Sequence, residues 1–312
     1  MPSVLENICV AVTSGECLVG FCVNGFIGLV NCIECVKTRR MTSIDFILTG
    51  LAISRIGILL ALILMNFFDF FYFKTNVISN WKTSGIIWNF SNHSGAWFGS
   101  CLSIFYFLKI ATFSHPAFLW LKWRVNKVVL RMLLGCWLTS SFIILPTTER
   151  ITKIQVVPID QENKTTITHI NQGSEILKCS IPILFSTGGL VPCALSVISC
   201  FLLVLSLWKH TQQMHLKVTG YRDPGTKAHV RAMKTIISFL FLFVLYHSGL
   251  IMGNLNMSVF RSKLVAMFSL TVMSVYPMTH SIILILGHSK LRHASLGVLG
   301  KLKDHLKVPG KV

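Results

Sequence analysis

The sequence predicts an all-α membrane protein, a seven-transmembrane-helix bundle with its N-terminus outside and its C-terminus inside. Of the 312 residues, 53% are hydrophobic and only 13% are charged, and the mean hydropathy is +0.65. These values lie outside the range of ordinary soluble domains. Hydropathy separates seven apolar segments, each near the roughly 20 residues that cross a bilayer as a helix. The basic residues are distributed unequally between the connections, which sets the orientation.

The seven segments are separated by charged or turn-rich connections. They span roughly residues 8–36, 46–72, 84–111, 128–146, 180–208, 232–254 and 263–287. We therefore expect a seven-helix domain over residues 1–288 and a tail over residues 289–312. In the tail, Leu291, Val298, Leu299 and Leu302 recur at helical spacing among lysines. This pattern is typical of a short amphipathic helix that lies on the inner membrane surface.

The orientation follows from the positions of the 29 lysines and arginines. Twenty of them lie in the first, third and fifth connections and in the tail, eight lie in the other connections, and Arg55 lies within a segment. Cytoplasmic loops carry an excess of Lys and Arg. The tail and the more basic connections are therefore predicted to be cytoplasmic.

The charge and the motif content exclude several classes of function. The net charge of +18 has a cytoplasmic bias, which fits membrane lipid headgroups and an acidic partner better than nucleic acid. The sequence contains no G-x-S-x-G, H-E-x-x-H or phosphate-loop motif, so neither an enzyme nor a cofactor is indicated. Most of the ten cysteines lie in apolar segments, where cysteine is usually a core residue and not a metal ligand.

A membrane transporter is the alternative from another class. Ion-coupled transporters usually place carboxylates near the middle of the bilayer. Here the carboxylates that come near membrane depth lie toward segment ends, at Glu16, Glu34 and Asp69. This placement disfavours transport.

The first two segments each contain a polar residue at membrane depth. Counted at about 1.5 Å per residue, Asn24 and Arg55 lie at depths of roughly 18 and 14 Å from the cytoplasmic ends. A cation in hydrocarbon needs a polar partner. Two interpretations are open: an Arg–Asn contact that only supports packing, or a polar switch in which Arg55 exchanges partners between Asn24 and the region of Ser281 in segment seven.

The third segment combines a candidate binding site with a candidate output surface. Trp88 and Asn92 are four residues apart, so they share one face of a helix. Asn66 in segment two lies three turns beyond Arg55 on the same face, which makes it a second candidate cavity residue or alternatively a capping amide. The segment ends near Lys109 and leads into a basic stretch with Lys122 and Arg124, and we expect these three residues to face a cytoplasmic partner.

The fifth and sixth segments frame a basic cytoplasmic connection. Segment five ends at Lys209 and His210, and a turn at residues 223–226 leads into a helix that contains Lys227. These three residues extend the candidate output surface.

The longest outside connection, residues 147–177, contains a modification signal. Asn163-Lys-Thr165 is an acceptor sequence for N-linked glycosylation, and we expect Asn163 to be modified. Asn256-Met-Ser258 fits the same pattern but lies close to the membrane, so its state is left open.

Seven short sequence strings, taken in their order along the chain, closely resemble those of the bitter taste receptors, the type 2 taste receptor family of G-protein-coupled proteins. The strings are Asn24-Gly-Phe-Ile27, Leu51-Ala-Ile-Ser-Arg55, Ser103-Ile-Phe-Tyr-Phe-Leu-Lys109, Leu121-Lys-Trp-Arg124, Leu207-Trp-Lys-His210, Arg222-Asp-Pro through Lys227-Ala-His229, and His280-Ser-Ile-Ile-Leu-Ile-Leu286. They cover every segment except the fourth. Two positions depart from the usual family strings, Thr112 and Gly225. The related vomeronasal type 1 pheromone receptors are the nearest alternative, and the Leu-Lys-Trp-Arg and Trp-Lys-His strings argue against them.

The resemblance implies a multi-pass receptor of the plasma membrane. Its agonists would be diverse, mostly apolar small molecules, and its output would pass to a gustducin-like heterotrimeric G protein. The family's binding positions correspond here to Asn66, Trp88 and Asn92, with Tyr246 beneath them and Leu270 and Met273 on the facing helix.

Overall fold

The computed structural model describes residues 4–71, 78–111, 113, 115–135, 190–217, 224–256 and 262–306. Within these ranges the regular structure is entirely helical. The helices are α1 (Val4–Thr38), α2 (Ser43–Phe71), α3 (Ile78–Ile110), α4 (Pro116–Trp123), α5 (125–135), α6 (Leu190–Lys217), α7 (Pro224–Leu255), α8 (Lys263–Gly287) and α9 (Ser289–Leu306).

Five of the described helices are long and apolar enough to cross a membrane. The qualifying stretches are Val4–Thr38, Ser43–Phe67, Val191–Lys209, Lys234–Gly253 and Lys263–Gly287. They correspond to predicted segments one, two, five, six and seven. The prediction of an all-helical protein with membrane-spanning helices is confirmed to this extent.

Helix α3 is 33 residues long but lies outside that group of five. Its polar residues are buried inside the bundle, among them Asn89, Asn92, His93, Ser100 and Ser103. A helix at the centre of a bundle can carry such residues because neighbouring helices, and not lipid, surround them. Of the predicted fourth segment, only residues 128–135 fall in the described part of the chain, within α5.

Helix α2 forms the centre of the packing, with contacts to α1, α3 and α8. Two of its glycines face α3: a Cβ at Gly50 would overlap the Phe98 ring, and a Cβ at Gly57 would overlap Ser91. Small residues at helix interfaces allow such close backbone approach in membranes. The close contact of α2 with both α3 and α8 brings the buried polar residues of all three helices together.

Two apolar clusters divide the core. One lies where α2, α3 and α5 converge and includes Ile47, Leu51, Leu102, Val129 and Leu133. The other joins α2, α3, α7 and α8 and is rich in aromatic side chains. The candidate ligand residues Tyr246, Leu270 and Met273 belong to the second cluster, and Trp88 packs against it.

Helix α9 follows α8 after a single residue, His288. Lys290 at its start forms an ion pair with Asp45 at the start of α2, with 2.8 Å between Nζ and Oδ1. Thr42 also donates a hydrogen bond to the Asp45 carboxylate. Burial lowers the pKa of the His288 imidazole, so this side chain adds no charge to the junction at neutral pH. The ion pair therefore links the start of α9 to the start of α2.

Candidate functional site

The largest fully buried side chain among the described residues is Arg55, which is 1% exposed. Its Nη1 donates to Ser281 Oγ at 2.7 Å, and its Nη2 is bonded to His280 Nδ1. Because arginine can only donate, this His280 nitrogen must accept, so the imidazole is neutral and carries its proton on Nε2. The Arg55 Cζ also lies 5.3 Å from the centroid of the Tyr276 ring, a cation–π contact.

Asn24 joins this network through Ser281. The Ser281 hydroxyl lies 2.7 Å from Asn24 Oδ1 and 2.9 Å from the Pro277 carbonyl. The Asn24 amide donates to the carbonyl oxygens of Pro277 at 3.1 Å and Gly20 at 2.8 Å. One hydroxyl proton thus faces two acceptors, and α1, α2 and α8 are linked through one serine.

The three predicted switch residues, Asn24, Arg55 and Ser281, therefore lie together. The depths counted along the helices implied only that Asn24 and Arg55 lie close together. In the structure they are linked indirectly, because Ser281 is hydrogen-bonded to both. His280 and Tyr276 also belong to this network, although they were not predicted as switch residues. Their spacing of four residues, with Ser281 adjacent, was a signal that one face of α8 is polar.

The predicted ligand-binding residues also converge. Tyr246 on α7 donates to Asn92 Oδ1 on α3 at 2.6 Å. Trp88, one turn before Asn92, packs against the cluster that contains Tyr246, Leu270 and Met273. Asn66 is 2% exposed and lies one turn beyond Leu62, which belongs to the same cluster.

Two polar atoms at this place are buried without a hydrogen-bond partner of standard geometry. They are Asn66 Oδ1 and Trp88 Nε1, and the Trp88 indole interacts electrostatically with the Tyr246 hydroxyl. Buried polar groups without partners are costly. A donor on a bound ligand would satisfy the Asn66 oxygen, while aromatic and aliphatic side chains would bury an apolar part.

Tyr276 connects the two sites. Its ring centroid lies 5.4 Å from that of Tyr246 and 5.6 Å from that of His280. The Arg55 Cζ lies 5.3 Å from the centroid of the same ring. The Tyr276 side chain therefore contacts both Tyr246 and Arg55.

A small cavity of about 50 Å³ lies beside His280, between α3, α6, α7 and α8. Its lining includes Tyr106, Leu203, Phe239 and Leu284. Side-chain rearrangement in a packed core requires free space, and this cavity provides it next to the Arg55 network.

The residues predicted to face the G protein differ in their exposure. Lys109, Arg124 and Lys209 are exposed, and the Arg124 guanidinium lies 4.8 Å from the Trp120 ring centroid. Lys122 is half-buried, and its Nζ donates to the Ala111 carbonyl at 3.0 Å. Its charge therefore stabilises the C-terminal end of α3.

Three other predicted positions are described in part or not at all. His210 lies in α6 and Lys227 lies in α7, and the structure describes only the backbone at these two positions. Asn163 lies outside the described residues. Among the described residues, no group of three His, Cys, Asp or Glu is placed to hold a metal ion.

Sequence comparisons assign the chain to a family. The model of the family described as "Taste receptor protein (TAS2R)" matches residues 1–303. The chain is 43% identical to taste receptor type 2 member 7 of Pongo pygmaeus over 296 residues, which cover 94% of this chain and 92% of that protein. It is 42% identical to taste receptor type 2 member 9 of Macaca mulatta over 310 residues, which cover 98% of each.

This chain belongs to the type 2 taste receptor family. The identification of a bitter taste receptor from its sequence strings is thereby confirmed. Membership and the apolar helices indicate a multi-pass membrane protein. Membership also implies small-molecule ligands and coupling to a G protein, and it indicates a receptor and not an enzyme.

Proposed function

We propose that this taste receptor crosses the plasma membrane seven times, with its N-terminus outside and a cytoplasmic tail at residues 289–312. Bitter small molecules would bind in the upper half of the domain of residues 1–288, and the signal would pass to a gustducin-like G protein. The basic bias of the predicted inside connections supports this orientation.

The proposed ligand site is formed by Asn66, Trp88, Asn92, Tyr246, Leu270 and Met273. The last four are each at most 9% exposed, so a ligand among them would be largely removed from water. An apolar wall with a few amides suits chemically diverse agonists. Burial of apolar surface does not require a particular orientation of the ligand, whereas a single hydrogen bond favours a particular orientation. The Asn66 Oδ1 atom, which is buried without a hydrogen-bond partner, and the Trp88 indole N–H would supply the hydrogen bonds of the site.

The proposed switch is formed by Arg55, Asn24 and Ser281, together with His280. A receptor needs an element with two arrangements of similar energy. Arg55 has five N–H donors, and its Nε has no hydrogen-bond partner. A guanidinium with spare donors can exchange partners without leaving its charge unsolvated.

The observation that carries the proposal is the Tyr246–Tyr276–Arg55 contact series. Tyr246 bonds Asn92 at 2.6 Å, its ring lies 5.4 Å from Tyr276, and Tyr276 lies against Arg55. Ligand contacts at Tyr246 are thus two side chains away from the charged network. The exposed Lys109, Arg124 and Lys209, with His210, Lys227 and the solvent-facing part of Lys122, would form the G-protein surface.

The experiment is a calcium-response assay in cells that express the receptor, across a panel of bitter compounds. We expect concentration-dependent responses that disappear when the G protein is removed. A transporter would instead accumulate the compound in vesicles that contain this protein alone, without any G protein. Uptake of this kind, or responses that persist without the G protein, would contradict the proposal.

A further inference from the structure

A second cavity lies away from the candidate ligand site, between the connection that precedes α2 and one face of α5. Its volume is about 340 Å³, within the range of small-molecule sites. It is lined by Met41, Thr42, Ser43, Phe46, Asn126, Lys127, Val129, Leu130 and Leu133. None of these residues belongs to the proposed ligand, switch or output sets.

The polarity of the lining changes along the cavity. Thr42, Ser43, Asn126 and Lys127 lie at the starts of α2 and α5. Phe46 lies one turn further along α2, and Leu130 and Leu133 lie one to two turns further along α5. From residue 126 to residue 133 the helix rises by about 10 Å. The cavity is therefore hydroxylic and cationic at one end and hydrocarbon at the other.

The α5 wall is a continuous helix face. Positions 126, 129, 130 and 133 follow the spacing of one side of an α-helix. Val129 and Leu133 are buried at 1% and 3% exposure, whereas Leu130 is 56% exposed and Phe46 is 43% exposed. The buried pair forms the floor of the cavity, and the exposed pair forms an apolar rim that opens toward the surroundings of the bundle.

The charge around the polar end has one sign. Lys127 lines the cavity, Arg124 is exposed just before α5, and Arg39 and Arg40 are exposed just before α2. No acidic side chain is among the nine lining residues. The nearby Asp45 carboxylate is occupied by Lys290 and Thr42. This end therefore attracts anions.

We propose that this cavity binds one anionic glycerophospholipid of the inner membrane leaflet. Its phosphate would lie near Lys127 and the Thr42–Ser43 hydroxyls, and its acyl chains would lie along Phe46 and Leu130. Amphipathic ligands match such a gradient because the headgroup keeps polar partners while the chains stay in hydrocarbon. Trp123, at 88% exposure, supplies the exposed indole that is typical of a membrane interface. The choice of leaflet rests on the orientation proposed above.

The test is photolabelling of the purified receptor in phosphatidylcholine nanodiscs, without agonist or G protein. The probe is a photoactivatable phosphatidylserine, and labelled peptides are identified by mass spectrometry. We expect labels within residues 41–46 and 126–133. Lys127→Gln should lower labelling about fivefold, the factor that corresponds to the ~1 kcal/mol of one cation near an anionic headgroup. Leu130→Trp should block the rim and lower labelling further.

Matched controls lie on the same helix. Arg131→Gln removes an exposed cation and Leu134→Trp enlarges an exposed leucine, but neither residue lines the cavity. Both should label like the wild type, which shows that the loss is specific to the cavity. Labelling by a phosphatidylcholine probe to the same extent, equal labelling of all variants, or displacement of the lipid by inorganic phosphate would each overturn the proposal. Since ligand response is not measured here, a failure of this site leaves the taste-receptor function untouched.

Discussion

Replacing Arg55 by alanine should alter signalling without altering agonist affinity. The change removes the bond to Ser281 at 2.7 Å, the bond to His280 and the contact with Tyr276. A hydrogen bond to a charged group contributes about 1.5–3 kcal/mol. If the two receptor states differ by one such bond, their equilibrium shifts roughly ten- to a hundredfold. Arg55 lies eleven residues from Asn66, about 16 Å along α2, so direct ligand contacts should survive.

The measurement is basal and maximal G-protein activation, normalised to receptor at the cell surface, together with radioligand or fluorescent-agonist affinity. We expect basal activity to rise or maximal response to fall, with affinity nearly unchanged. Ser281→Ala is the milder companion variant, because it keeps the charge and removes only the shared hydroxyl. It should change the same parameter in the same direction by a smaller amount.

Two outcomes would refute this reasoning. A role limited to packing would lower surface expression of the Arg55 variant, and Ser281→Ala would leave basal and maximal signalling unchanged at full expression. Alternatively, a large loss of agonist affinity with unchanged efficacy would place Arg55 in the ligand site and not in the switch.

Three further predictions follow from other parts of the chain. Trp88→Ala should lower agonist potency roughly ten- to hundredfold, the equivalent of ~1–3 kcal/mol of lost apolar contact, whereas Asn92→Ala should affect mainly agonists with a hydrogen-bonding group. Trp97→Ala on the same helix, where the indole packs against His93, is the control, and equal losses in all three would contradict the assignment. Asn163→Gln should abolish the gel shift produced by a glycosidase, while Asn256→Gln should not, because Asn256 is buried and its Oδ1 accepts from the Ser262 N–H. Asp45→Asn and Lys290→Gln should each lower the free energy of unfolding of the purified receptor by about 1 kcal/mol, and the double variant should lose little more. Additive losses in the double variant would show that the ion pair between these residues is not the cause.

Hydropathy and helix signals in the sequence located most of the membrane helices. Predicted segment seven, residues 263–287, has the bounds of α8. The predicted turn at residues 223–226 was wrong for residues 224–226, because α7 already begins at Pro224, a residue type that fits the first position of a helix. These features are local: about 20 apolar residues must cross as a helix, and a turn before a helix has its own residue preferences. The ordered family strings were equally visible, and they were sufficient for the family assignment.

Helical spacing also showed which site residues share a helix face. Trp88 and Asn92 share a face because they are four residues apart, and Arg55 and Asn66 follow from a count of turns. What spacing does not contain is the identity of the neighbouring helix or the rotation of each helix about its axis. Those depend on how side chains of different helices fit together.

Only the tertiary structure therefore chose the partners. It placed Ser281 between Arg55 and Asn24, and it brought His280 and Tyr276 into the network. It also directed Lys122 back onto the end of α3. A sequence determines how deep a charged residue lies, because depth is a property of one helix. The group that solvates that charge lies on another helix, hundreds of residues away in the chain, and the packing of the bundle decides which group it is.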